Sequence, residues 1–219
     1  MIQDSERAYI HWLYQAMGMG NRRLFRELRQ LATAEEIYEM ARNGMLEEKL
    51  SGRYQKKVQK ITASAISYDV IGEYERMTER GIEFTAVEEE GFPKKLATIP
   101  DAPSLIYYAG KLPDDQCKSV AVIGARECSE YGHRMAREFG KMLAEAGIQV
   151  ISGMARGIDG IGQTAALMAG GYSLGVLGCG VDICYPSEHR TLYEQLLVQG
   201  GVCSEYPPGI EPRAVLFPP

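Results

Sequence analysis

Two segments of this chain place an arginine among glycines directly after a short apolar run. Val-Ala-Val-Ile is followed by Gly124-Ala125-Arg126-Glu127-Cys128-Ser129-Glu130-Tyr131-Gly132, and Gln-Val-Ile by Ser152-Gly153-Met154-Ala155-Arg156-Gly157-Ile158-Asp159-Gly160. Glycine lets a backbone turn sharply and approach a ligand, and a helix that starts just beyond offers unpaired N–H groups to an anion. A guanidinium beside it adds a planar fork of donors that matches a phosphate. The chemistry indicated is phosphate binding without covalent catalysis. Each segment taken singly also reads as an ordinary turn, with Arg126 or Arg156 paired to Glu127 or Asp159. The spacing is not the dinucleotide fingerprint, because Arg126 occupies its second glycine position.

These loops need a scaffold that brings them to one edge. From Ser119 the chain alternates short apolar runs with helical stretches: VAVIG, helix 131–146, QVISG, helix 160–169, SLGVLG, helix 190–198, GVCSEY. Four strands alternating with helices predict an α/β, Rossmann-like, doubly wound and mostly parallel sheet, whose ligands bind at the carboxyl ends of the strands. The chain stops at AVLFPP without a closing helix, which predicts that it ends before this core is complete.

The first part of the chain is different. Residues 5–79 carry apolar residues three and four apart in SERAYIHWLYQAM, NRRLFRELRQLA, TAEEIYEMARNG and a long KKVQKITASAISYDVIGEYERMTERG, which predicts a small all-helical domain. Thr33 and Glu36 form a capping-box pattern, and Gly44 and Gly81 stand where helices end. Between the two parts, Ile82–Val87 and Leu105–Tyr108 read as short strands, punctuated by Pro93, Pro100, Pro103 and Pro113. The expected division is 1–80 helical, 81–118 a connector packing on the core, and 119–219 the Rossmann-like core.

Composition removes several classes. The 219 residues are 45% apolar and 24% charged, with no apolar run near the ~20 residues that cross a bilayer. The start MIQDSERAYIHWLY lacks a basic region followed by an apolar block, so a secretory signal is not expected and a cytoplasmic location is. Five cysteines, at 117, 128, 179, 184 and 203, have neither CxxC nor His-flanked spacing, so neither a disulfide framework nor a metal site is expected. The formal charge of −5 argues against a surface that wraps nucleic acid, yet basic residues concentrate locally: residues 1–80 hold 13 basic and 12 acidic side chains, residues 119–219 hold 7 and 10. No Walker A lysine, GxSxG elbow or HExxH is present, and the few titratable groups near the presumed ligand edge lack acid–base spacing, so neither catalytic residues nor cofactors are expected.

Taken in order, Gly124-x-Arg126-x-x-Ser129-x-Tyr131-Gly132, SGMARGIDG, GVLGCGVDICYP, SEYPPG and FP resemble the DNA-processing protein A family (DprA, also called Smf), from about Gly81 to Pro219. The resemblance implies a single-stranded DNA-binding protein of natural transformation that helps load the RecA recombinase, on an extended Rossmann-like core with no established catalytic activity. It assigns DNA contacts to Gly124, Arg126, Ser129, Ser152, Gly153, Arg156, Gly157, Arg213 and Phe217, with Arg126 foremost. Phe217 is either a ring for base stacking or a core residue, and Arg156 either a contact or a brace for the loop beside Asp159. The partners implied are single-stranded DNA, RecA and a second copy as a homodimer, with no membrane.

The chain departs from that pattern at Gly162-Gln163, where Ala-His is usual, at His189 in place of Asn, and at Ser187, where a basic residue would help. The family pattern also continues after FP with segments this chain lacks. Met17-Gly18-Met19-Gly20-Asn21 resembles a helix–hairpin–helix or SAM-like turn, and Arg22, Arg26 and Arg29 follow at helical spacing as a secondary DNA contact. Two rival readings remain open: a phosphoribohydrolase-like enzyme, whose PGGxGT segment is absent, and a nucleotide sensor.

Overall fold

The computed structural model describes residues 4–216 apart from 19, 51 and 53. The chain divides into two compact units, residues 1–80 and 81–219.

In the first unit, amphipathic segments fold into six helices: α1 (Asp4–Met17), α2 (Arg22–Leu31), α3 (Ala34–Arg42), α4 (Met45–Lys49), α5 (Gln55–Ser67) and α6 (Val70–Glu79). Their apolar faces meet in a core of Trp12, Leu13, Leu24, Leu28, Ile37 and Ile61, each at most 1% exposed. The indole of Trp12 stands edge-on to Tyr38 at 4.9 Å and donates its N–H to Ser64 Oγ, so its one polar atom is satisfied. The Thr33–Glu36 capping box opens α3, and Gly44 leaves it at a φ of 75°. The single long helix expected over 56–81 is two helices. Tyr68 is extended, and the Asp69 side chain accepts the Gly72 N–H, which caps a new helix in mid-pattern.

The second unit is built on one six-stranded sheet of order β1-β2-β6-β5-β4-β3, formed by β1 (Ile82–Ala86), β2 (Leu105–Gly110), β3 (Ser119–Ala121), β4 (Gln149–Ser152), β5 (Ser173–Val176) and β6 (Gly201–Ser204). Strands β3 to β6 pair in parallel, and the short helix α7 (Lys94–Ala97) lies between β1 and β2 in the chain. The parallel strands are joined by α8 (Glu130–Glu145), α9 (Ile158–Met168) and α10 (Arg190–Gln199). The segment expected as a connector is the rest of this sheet, because β1 and β2 pair antiparallel with each other and β2 pairs antiparallel with β6. Right-handed crossovers that all advance in one direction put their helices on one face. Gly175 turns to Leu196 of α10 on that face, whereas Leu174 and Val176 turn to the opposite one. There they meet α7 and the segment after β2 around a cavity of about 320 Å³.

Because β3 to β6 follow one another in space, the loops after β3, β4 and β5 emerge side by side at the carboxyl edge. The crossing of α8 and α9 is close: a Cβ on Gly140 would lie 2.2 Å from the Gly162 carbonyl oxygen, and one on Gly162 would lie 2.7 Å from Val122. Gln163, in the place where histidine was expected, is fully buried. Its amide oxygen accepts from Met154 N, and its amide nitrogen donates to Ser173 Oγ and the Leu174 carbonyl. A neutral amide meets those demands with no charge to desolvate. Among the described residues no helix is long and apolar enough to cross a membrane.

Candidate functional site

The first loop begins at Gly124, whose N–H donates to Asp159 Oδ1 at 3.2 Å, while Gly153 N, in the second loop, donates to Asp159 Oδ2 at 3.2 Å. One carboxylate that is 6% exposed therefore clamps both loops from the first turn of α9. The loops also touch directly. Ile158 N donates to the Ala125 carbonyl at 3.2 Å, and Gly157, at φ 73° and ψ −129°, approaches so closely that a Cβ would stand 2.2 Å from that oxygen. Only glycine fits this contact, for both its torsions and its lack of a side chain.

Several expected contacts have other employment. The N–H groups of Gly124 and Gly153 are taken by Asp159 and are not offered outward. Ser152 is 3% exposed, and its hydroxyl donates to the Val122 carbonyl at 2.5 Å, joining the ends of β3 and β4 inside the fold. Ser129 is exposed but serves as the N-cap of α8, accepting from Gly132 N. Arg156 braces the site in a way the sequence did not indicate. It pairs with Glu188 rather than Asp159, and this partner holds the Glu188 carboxyl below the usual carboxylate range.

Arg126 is exposed and makes no ion pair among the described residues. It lines a cleft of about 400 Å³ shared by the three loops, with Gly153, Ala155 and Arg156 from the second and Ile183 to Glu188 from the third, closed by Glu211 and Pro212. The last segment is held there because Gly209 N donates to Asp182 and Gly180 N to the Ile210 carbonyl. Arg213 is exposed next to this wall but does not line it, and Phe217 lies outside the described residues. Two arginines face two glutamates in the lining, and Arg156 is already paired, so Arg126 is the cation this cleft presents to an anion. Tyr185 lines the same cleft and is 46% exposed. Glycine and arginine spacing does not point to it, although an aromatic inside a strand-end motif, ICYP, is a usable signal.

In the first unit the arginine row is shorter than expected. Arg29 turns inward to Glu6 at 2.5 Å, with side-chain exposures of 19% and 15%, and Glu6 also accepts from Ala34 N at the start of α3. Arg29 is thus a structural residue, and Arg26 is the exposed member of the row, with Arg22 half-buried. Gly18 and Gly20 of the preceding turn both have positive φ, and Met19 lies outside the described residues. No group of three or more His, Cys, Asp or Glu side chains among the described residues could hold a metal ion.

Known proteins share this architecture. The family model described as DNA recombination-mediator protein A matches residues 83–219. Protein Smf of Synechocystis is 31% identical over 99% of this chain and 55% of its own length, and protein Smf of Escherichia coli is 39% identical over 60% of this chain and 35% of its own. The chain therefore spans between about a third and a little over half of these relatives. The X-ray structure of DNA processing protein A from Streptococcus pneumoniae superposes with a TM-score of 0.73 at 26% identity, covering 96% of this chain and 71% of that one. A Helicobacter pylori DNA processing protein A, described for its single-stranded DNA binding mode, superposes with a TM-score of 0.53 at 26% identity over 62% of this chain and 61% of its own.

Proposed function

Since this chain belongs to the DNA recombination-mediator protein A family, we propose that it binds single-stranded DNA by its phosphate backbone at the cleft of the three strand-end loops. The observation that carries the reading is Arg126, an exposed guanidinium without an ion pair among the described residues, on a loop whose shape is fixed by Asp159 and Gly157. A phosphate receives a charge-assisted bond from it, and Tyr185 supplies a ring on which a neighbouring base stacks. Arg156 joins when a phosphate competes with Glu188 for it. None of these contacts reads a base edge, so binding is sequence-tolerant. The setting of this activity is the processing of incoming DNA in the cytoplasm during natural transformation, with transfer of the strand to RecA and a homodimeric state as its further parts. No catalytic step is included.

The test is fluorescence anisotropy of labelled oligo-dT of increasing length, with AMP as competitor. A backbone groove gains affinity with length and loses it with salt, and AMP competes weakly. Saturation by AMP alone, or affinity independent of length, would replace this reading with that of a nucleotide sensor.

A further inference from the structure

Beside the cleft lies a groove of about 810 Å³ between α8 and α9, roughly twice the volume of the cleft. Its α8 wall carries His133, Arg137 and Lys141, which recur every four residues and so share one side of the helix over ~12 Å of its axis. All three line the groove, and Arg137 makes no ion pair among the described residues. Lys141 meets Glu145 only at 3.6 Å, with both side chains more than half exposed, a contact that solvent and salt screen. The α9 wall adds Thr164 and apolar surface from Ile161 and Met168 but no acid, since Asp159 is turned into the loops. Glu145 lines the groove as well, beside Lys141, so the lining holds two cations, two histidines and one carboxylate, a basic balance in a unit with 11 basic and 17 acidic side chains.

The groove adjoins the cleft, because successive residues of the same loops, Arg156 with Gly157 and Glu188 with His189, line the one and the other. Gly157 packs on the backbone of Ala125 and Arg126 and also lines the groove. His189 lines the groove while its neighbours Ser187 and Glu188 line the cleft, and its Nδ1 is fixed 2.9 Å from the Met154 carbonyl oxygen. We propose that a single strand held at Arg126 runs on past Gly157 into this groove, where Arg137 and Lys141 bind its next phosphates and His133 lies between the two sites. This rests on the reading of the cleft given above.

The proposal predicts an effect that depends on length. Oligo-dT of about four and about sixteen nucleotides, lengths that bracket known single-strand sites, is titrated at several salt concentrations against the whole chain and its variants. In Arg137→Glu/Lys141→Glu the short oligonucleotide should bind within about twofold of wild type. The long one should weaken about tenfold or more, with a salt slope shallower by about 1.4, or 0.7 for each phosphate no longer neutralised. Lys94→Glu/Lys118→Glu makes the same charge change elsewhere on the unit and should have little effect. Equal changes for both lengths, an unchanged slope, or the same loss in the Lys94/Lys118 variant would overturn the groove. Arg126→Glu separates the two claims, because it should weaken both lengths. If it is silent while the α8 variant is not, the cleft reading and the path from Arg126 fail, and only the phosphate contacts at Arg137 and Lys141 stand.

Discussion

Gly157→Ala tests whether the close approach of the two loops makes the site. The residue adopts φ 73° and ψ −129°, a region essentially reserved for glycine, and holding alanine there costs about 1–3 kcal/mol. Its Cβ would also stand 2.2 Å from the Ala125 oxygen and 2.6 Å from that of Arg126, both far inside contact distance. The loops must part to admit it, which breaks the Ile158–Ala125 hydrogen bond at about 1 kcal/mol more. The expected loss is about 3–4 kcal/mol, toward the upper end of that strain range plus the lost bond. Gly147→Ala is the matched control, since Gly147 has φ 68° and a Cβ there would meet nothing within 4 Å, so only about 1 kcal/mol of left-handed strain applies. A two-unit chain need not unfold in one step, so stability is read by hydrogen exchange of peptides from residues 81–219 in a urea series. Oligo-dT affinity is measured on the same samples and should fall for Gly157→Ala alone. Equal destabilisation by the two variants, or full affinity in Gly157→Ala, would refute the argument from close approach.

Three other outcomes follow from particular contacts. Asp159→Ala removes the acceptor of two loop N–H groups and should destabilise the second unit by about 2–3 kcal/mol and weaken oligonucleotide binding; Asp159→Asn, which keeps one acceptor, should lose about half as much by the same urea series. Glu188→Gln frees Arg156 and removes a negative charge from the cleft wall, so oligo-dT affinity should rise a few-fold at low salt in anisotropy titrations, with the gain vanishing at high salt. In the first unit, burial pushes the His11 pKa from 6.5 down to about 4 against a smaller opposing pull from Glu73, and Gln15 bonds its Nε2 at 2.7 Å. The folded state thus keeps the ring neutral where the unfolded chain takes up a proton, so stability is complete above about pH 6.5 and falls by about 3 kcal/mol as pH drops to about 4. Trp12, the single tryptophan, is buried in this unit and reports it by fluorescence; a pH-independent midpoint over that window would contradict the assignment.

Periodicity and turn chemistry are local, and what depends on them was legible. The helices following β3, β4 and β5 begin and end within about two residues of the stretches read from the sequence, and Thr33 with Glu36 caps a helix as their spacing indicates. The break at Asp69 was hidden because the apolar spacing continues through it, while the deciding event is one side chain capping one N–H. Strands β1 and β2 were visible as strands, but their membership of the main sheet rests on pairing of β2 with a strand nearly a hundred residues later. The candidate site divides in the same way. Glycine and arginine after each strand marked the loops, whereas the pairing of Arg156 with Glu188, of Arg29 with Glu6 and of Ser152 with Val122 depends on partners 23 to 32 residues distant. Asp159 reads in the sequence only as a pairing partner for Arg156, and its role as a clamp between two loops appears only when both stand side by side.

The central claim is that the Arg126 loop binds the phosphate backbone, and the salt dependence of oligo-dT binding by wild type and Arg126→Glu tests it most directly. The side chain is exposed and unpaired by any carboxylate among the described residues, so its replacement leaves the fold intact. The account predicts about tenfold or greater weakening and a slope of log K against log salt that is shallower by about 0.7, the value for one phosphate on a single strand. Unchanged affinity and slope in Arg126→Glu would contradict it.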